Sequence, residues 1–161
     1  MLRLKLLAAL VLFLVAVQPT FGDDAARILG IWKMVSWDLE FQATGAKEPT
    51  FGEHPAGYII YTPGRMISII TAQGREAPKT DQDRAALLKS MIAYTGTYRL
   101  EGDKIIQKPD VSWNPAWVGA EQVRFVKFDG DRLQMTTDWL QSTTRPEAGT
   151  VRAIMTFERA K

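Results

Sequence analysis

Beyond residue 23 the chain alternates apolar and polar positions at a period of two through several short runs rich in β-branched and aromatic residues, with turn signals between them. The pattern predicts strands over residues 30–41, 57–62, 65–72, 95–101, 104–112, 122–128, 132–138 and 150–158. Three of the turns have an explicit mechanism. Pro63-Gly64, Glu101-Gly102-Asp103 and Asp129-Gly130-Asp131 supply the preset φ of proline and the positive φ open to glycine, so each should close an antiparallel hairpin. One segment departs from the rhythm. Over residues 80–92, Ala85, Leu88, Met91 and Ile92 share a helical face, and Thr80 with Asp83 resembles a capping box. One short amphipathic helix is therefore expected between the third and fourth strands. Residues 74–79 and 141–149 read as mobile loops from their composition.

Eight consecutive strands, with a single helix to cover a free sheet edge, predict a mainly β fold: an eight-stranded antiparallel up-and-down barrel. A two-sheet sandwich is the alternative. The interior of an eight-stranded barrel is just wide enough to be filled by side chains or to hold one small ligand. Which of the two fills it is the functional question.

The first residues follow another pattern. Arg3 and Lys5 precede the apolar run 6–17, which at twelve residues is too short to cross a bilayer as a helix, a task needing about 20. Pro19 stops any helix, and Thr20-Phe21-Gly22 places small residues at the −3 and −1 positions of a cleavage before Asp23. Residues 1–22 are expected to be a cleavable signal peptide and residues 23–161 a single domain. The protein should then be exported, to a periplasm or beyond, with no stable membrane insertion after cleavage.

Charge and cysteine content sharpen this picture. The chain has 20 Lys and Arg against 18 Asp and Glu, and its two surplus cations are Arg3 and Lys5. The domain itself is formally neutral and has no basic stripe, so nucleic acid is not an expected partner. With no cysteine, disulfides and thiolate chemistry are excluded, and one histidine without cysteine cannot supply the usual zinc ligand set. No cofactor or metal is called for. His54, in the loop motif Gly52-Glu53-His54-Pro55, reads as an exposed turn residue.

Several motifs carry a resemblance. Gly30-Ile31-Trp32 looks like the Gly-x-Trp signature of lipocalins, in which the Trp closes the barrel floor. Phe51-Gly52-Glu53, Gly57-Tyr58-Ile59-Ile60-Tyr61-Thr62-Pro63, Gly64-Arg65-Met66, Tyr94-Thr95-Gly96-Thr97-Tyr98 and Asn114-Pro115-Ala116-Trp117-Val118-Gly119 resemble the bacterial and fungal lipocalin-like domain family of small β-barrels. The resemblance covers nearly all of residues 23–161 and implies the barrel more firmly than any activity. Two departures stand out. The Pro63-Gly64 turn lacks the extra acidic residue usual in relatives, so a tighter hairpin is expected. Gln107 and Lys108 stand where relatives often have histidine, which removes any imidazole chemistry from that strand.

Strand parity supplies the candidate site. Tyr58 with Ile60, Met66 with Ser68 and Ile70, Gly96 with Tyr98 and Leu100, and Leu133 with Met135 and Thr137 form the expected inner faces. If Val126 and Phe128 point inward, Gln122 and Arg124 do too. A buried arginine needs an anionic partner. In one reading Arg124, helped by Gln107 or Gln122, receives the carboxylate or other polar head of an amphipathic ligand whose tail lies among Tyr58, Met66, Tyr98 and Met135. In the other it pairs with Glu121 or Asp110 and ties the barrel mouth. Trp113 and Trp117, flanking Asn114-Pro115, form either a lid over a ligand or a plug. The leading expectation is a non-catalytic protein, monomeric or weakly dimeric, that binds a small hydrophobic or amphipathic molecule inside the barrel. A cofactor-independent cyclase or isomerase using Asp110, Glu121 and Arg124, and an interaction barrel filled by its own side chains, are the alternatives. The first two require an interior cavity of several hundred Å3.

Overall fold

The computed structural model describes residues 21–142 and 146–161. Residues 1–20 of the expected leader at 1–22, and residues 143–145 of the expected loop at 141–149, lie outside the described residues. The chain forms α1 (Phe21–Ile28), β1 (Gly30–Phe41), β2 (Lys47–Pro49), β3 (Ala56–Thr62), β4 (Arg65–Thr71), α2 (Asp81–Lys89), β5 (Met91–Glu101), β6 (Lys104–Ser112), β7 (Gln122–Asp129), β8 (Arg132–Thr136), β9 (Leu140–Gln141) and β10 (Thr150–Arg159). Short 3-10 turns occupy Pro115–Trp117 and Pro146–Ala148.

Neighbouring strands follow chain order through β1, β3, β4, β5, β6, β7, β8 and β10, and β1 pairs with β10 to close the circle. Eight antiparallel strands thus form the expected up-and-down barrel, while β2 and β9 add short flaps to β1 and β10. Closure leaves the long strands no free edge. Each expected hairpin is present. Thr62 pairs with Arg65 across Pro63-Gly64, and Gly64 has φ 77°, the positive value that the second central position of a type II turn requires. In the other two hairpins Gly102 (φ 63°) and Gly130 (φ 55°) occupy the first central position, as in type II′ turns.

One end of the barrel carries these three hairpins and is sealed by α1. Ile28 and Trp32 are fully buried there, and the Trp32 indole N–H donates to the Ile28 carbonyl at 2.8 Å. Arg159 on β10 lies over the Trp32 ring at 4.2 Å and donates to the carbonyls of Leu29 and Arg27. Gly30 has φ 114°, and a Cβ there would come within 2.9 Å of the Arg159 guanidinium. The Gly-x-Trp motif therefore sets both the backbone turn and the floor of the barrel.

The opposite end, the mouth, carries the longer connections and α2. The helix lies between the third and fourth barrel strands but ends at Lys89, so Met91 and Ile92, expected on its apolar face, instead open β5. Ala85 and Leu88 are exposed. The helix is held by its capping box rather than by a buried face: the Asp83 N–H donates to the Thr80 hydroxyl, and the Asp83 carboxylate accepts from the backbone of Thr80 and Lys79. Midway along β5 and β6, a bulge at Thr95 and Gly96 brings the Lys108 carbonyl and Pro109 backbone so close that a Cβ on Gly96 would lie 2.2 Å from that oxygen. Proline is accommodated at such an interruption of the ladder.

Candidate functional site

The inner faces of the strands set the site. Met66, Ser68 and Ile70 on β4, Gly96 on β5, and Leu133 and Met135 on β8 are buried, as their alternation predicts. On β3 the parity is reversed. Ile59 and Tyr61 point inward, whereas Tyr58 is 48% exposed on the outer wall, so Tyr58 does not belong to the interior set. The reason is that both alternating faces of Tyr58-Ile59-Ile60-Tyr61 are apolar or aromatic, and a period-two pattern without a polar face carries no information about which side is wet.

At mid-barrel the inward residues build a polar cluster in an apolar core. Gln107, 1% exposed on β6, donates from its amide to the Tyr61 hydroxyl at 2.6 Å and accepts from the Tyr94 hydroxyl at 2.9 Å. The Ser68 hydroxyl lies within hydrogen-bonding reach of Tyr94. Burial pushes the Tyr61 phenol well above its ordinary value, and the neighbouring Tyr94 pushes the same way; the Gln107 hydrogen bond and the Arg124 charge oppose them. Tyr94 is raised by the same burial, against Arg124 and Ser68. Both phenols remain protonated donors at neutral pH. Among the described residues, the only acceptor that the Tyr61 hydroxyl meets is the Met135 sulfur at 4.0 Å, a weak one.

Arg124 faces this cluster from β7. It donates to its neighbour's carbonyl, that of Val123, and to the Gln122 side chain at 3.1 Å, as the alternation of Gln122 and Arg124 predicts. Neither carboxylate expected as its partner is there: Asp110 is paired with Arg65 and Glu121 with Arg99, both on the exposed outer wall. Among the described residues no carboxylate lies within ion-pair distance of Arg124. The outward placement of Asp110 and Glu121 also removes them as acid and base groups within the barrel.

Side chains fill most of the interior. Ser68, Tyr94, Gln107, Arg124, Trp117 and Met135 are among the residues around an enclosed cavity of about 20 Å3. The several hundred Å3 expected for an internal ligand are absent there, because Trp37, Ile59, Met155 and Phe157 occupy the space. A volume of this size accommodates about one water molecule. The larger space lies outside it, at the mouth: a cleft of about 580 Å3 walled by Trp37, Leu39, Trp117, Leu140 and Ala153, with Arg152 at its side. Arg152 is paired with the mostly buried Glu40 carboxylate and lies over Trp139 at 4.5 Å. Trp37 and Trp117 line both spaces and stand between them.

Asn114 caps the 3-10 turn that carries Trp117, its side chain accepting from the Ala116 N–H. Trp117 packs edge-on against Tyr94 at 5.7 Å and against Trp113 at 5.8 Å. The indole N–H of Trp113 is buried with no hydrogen-bond partner among the described residues. The structure thus brings together Gln107, Arg124, Met135 and Trp117, with Gln122 and Trp113 one contact away. Met66 and Tyr98 are not part of this group. They pack nearer the hairpin end, where Tyr98 meets Tyr61 edge-on at 4.9 Å and donates to the Thr62 carbonyl. Three contributors are not singled out by the sequence, Trp37, Tyr61 and Tyr94, and a fourth, Ser68, is placed on the inner face by alternation but not assigned to the site. A serine alone on an otherwise apolar inner face was the available signal for this cluster.

A barrel closed by Gly-x-Trp with its polar cluster below a tryptophan-lined mouth agrees with the comparison by sequence, in which a family model described as lipocalin-like domain matches residues 29–160. The chain belongs to the lipocalin-like domain family. Among curated proteins none matches it. In this lipocalin-like domain no three His, Asp or Glu side chains among the described residues gather as a metal site. No helix among the described residues is long and apolar enough to cross a membrane.

Proposed function

We propose that this lipocalin-like protein is exported and binds, without transforming it, a small amphipathic molecule whose head group is a hydrogen-bond acceptor, a carboxylate foremost. The observation that carries the reading is a surplus of donors at the base of the mouth. Among the described residues, Arg124 has more N–H groups than its two acceptors use, one Gln107 N–H is uncommitted and Tyr61 lacks a strong acceptor, while the Trp113 indole N–H, behind Trp117, has none. Acceptors of the ligand would complete this set, and a charged one would also pair with Arg124. The tail lies against Trp37, Leu39 and Leu140 in the cleft, whose volume is in the range of small-molecule sites, and the head is directed at the polar cluster, which it reaches by displacing Trp117 from between the cleft and the cavity of about 20 Å3. Export rests on the basic and apolar pattern of residues 1–22.

Titration of the protein with dodecanoate and with dodecanol, followed by tryptophan fluorescence, tests this. The acid should bind more tightly than the alcohol, and Arg124→Gln should weaken the acid by about ten- to a hundredfold, the worth of one charged hydrogen bond, while leaving the alcohol nearly unchanged. Equal loss for both, or none, overturns the head-group assignment. The filled interior favours one rival, a barrel that works through its outer surface alone. Native mass spectrometry of protein purified from its source distinguishes them, since a reproducibly empty barrel supports the rival.

A further inference from the structure

A second feature lies on the outer wall, away from the mouth. In an antiparallel barrel the outward residues of each strand face water and are usually polar. On β5 and β8 they are: Thr97, Arg99, Arg132 and Gln134 point outward. On β3 and β4 they are not. Tyr58 and Ile60 on β3, Ile67 and Ile69 on β4, and Ile31 on β1 form one surface. The register places Ile31 beside Ile60 and Ile60 beside Ile67 in one row across three strands, and Tyr58 beside Ile69 in a second row across two, with Lys33 next to Tyr58 on β1. Ile31, Tyr58, Ile67 and Ile69 are between 41% and 50% exposed, and they line a shallow groove of about 680 Å3. A continuous apolar face of this kind marks an interaction surface.

The flanks indicate what it meets. On one side Lys33 pairs with Glu158, and on the other Arg65 pairs with Asp110. Each flank therefore offers one cation and one anion, and Lys161, which also lines the groove, adds one exposed cation. The domain as a whole is neutral, since removing Arg3 and Lys5 leaves equal numbers of basic and acidic residues. Two copies consequently approach without net repulsion. An apolar centre bounded on both sides by groups of both signs is complementary to itself after a two-fold rotation, the requirement for an isologous dimer.

We propose that this face binds a second copy of the chain, with Ile31, Tyr58, Ile67 and Ile69 forming the buried centre of a two-fold dimer. None of the groove residues lines the mouth cleft, so both mouths stay accessible and ligand binding is independent of association. Sedimentation equilibrium from micromolar to submillimolar protein is the test. The average mass should rise toward twice that of the monomer, and Tyr58→Glu and Ile69→Lys should each raise the dimer dissociation constant about tenfold or more, as expected for residues at the centre of an interface. Val123→Lys, on the outer face of β7, should dimerise like the parent with an unchanged unfolding midpoint. A parent protein that stays monomeric throughout overturns the proposal, whatever the variants do. So does undiminished dimerisation of Tyr58→Glu and Ile69→Lys, or stable binding of the parent to phosphatidylcholine vesicles through this face.

Discussion

Gln107 shows how much one side chain decides here. Its amide is almost fully buried and is tolerable only because both ends are bonded, to Tyr61 on one side and Tyr94 on the other. Gln107→Leu should lower stability by about 2 kcal/mol, because it strips the bonds from buried hydroxyls. In the Gln107→Leu background, Tyr61→Phe and Tyr94→Phe should cost less than in the parent, since the hydroxyls they remove have already lost their partner. Urea unfolding of the set checks this, and strictly additive losses would count against a coupled cluster. The sequence located Gln107 and Arg124 but not the two tyrosines that meet them. Tyr61 lay on the misassigned face of β3. Tyr94 preceded the expected start of its strand, which begins at Met91. Both omissions arise from local patterning that cannot register what lies across the barrel.

Among the elements, α2 is held in a way that separates local from global stability. It buries no residue fully, so its order depends on Thr80 and Asp83 at its start. Thr80→Ala should cost the helix about 1 kcal/mol, the usual worth of an N-cap, and so quicken amide exchange over residues 82–89 about fivefold. The global unfolding midpoint should hardly change; a large drop would mean that the helix is coupled to the barrel. The backbone donors of Lys79 and Thr80 hold the Asp83 carboxyl below its ordinary value. Its contribution to the helix is therefore present above the unfolded carboxyl value and lost as pH falls through the lower folded one. The capping box was legible because it is a contact over three residues. The helix C-terminus was not, because Met91 and Ile92 suit a helical face as well as a strand, and pairing with β4 decided the outcome. The flaps β2 and β9, of three and two residues, are too short to produce a period.

At the scale of the whole molecule, the barrel holds three phenols whose burial opposes ionisation: Tyr61, Tyr94 and Tyr98 are all raised above their ordinary value. An acid raised in the folded state keeps its full contribution below the unfolded value, about 10 for tyrosine, and loses it as pH rises further. Stability should thus be level through neutral pH and fall above about pH 10, with tyrosinate absorbance from the buried phenols rising together with unfolding. Tyr61→Phe should make that fall shallower. An absorbance rise that precedes unfolding would show that the phenols are reached by solvent in the folded barrel.

The sequence by itself determined the closed eight-stranded barrel, its three hairpins, the Gly-x-Trp floor and the inward course of Arg124, because each of these depends on neighbouring residues and on a period set by the backbone. Only the tertiary structure decided that Tyr58 faces outward, that Asp110 and Glu121 belong to surface ion pairs, and that the interior shrinks to about 20 Å3 beneath a cleft of about 580 Å3. Those outcomes depend on how side chains from strands distant in the chain share a fixed volume. Alternation fixes a side chain's line of approach, and close packing fixes what it meets there.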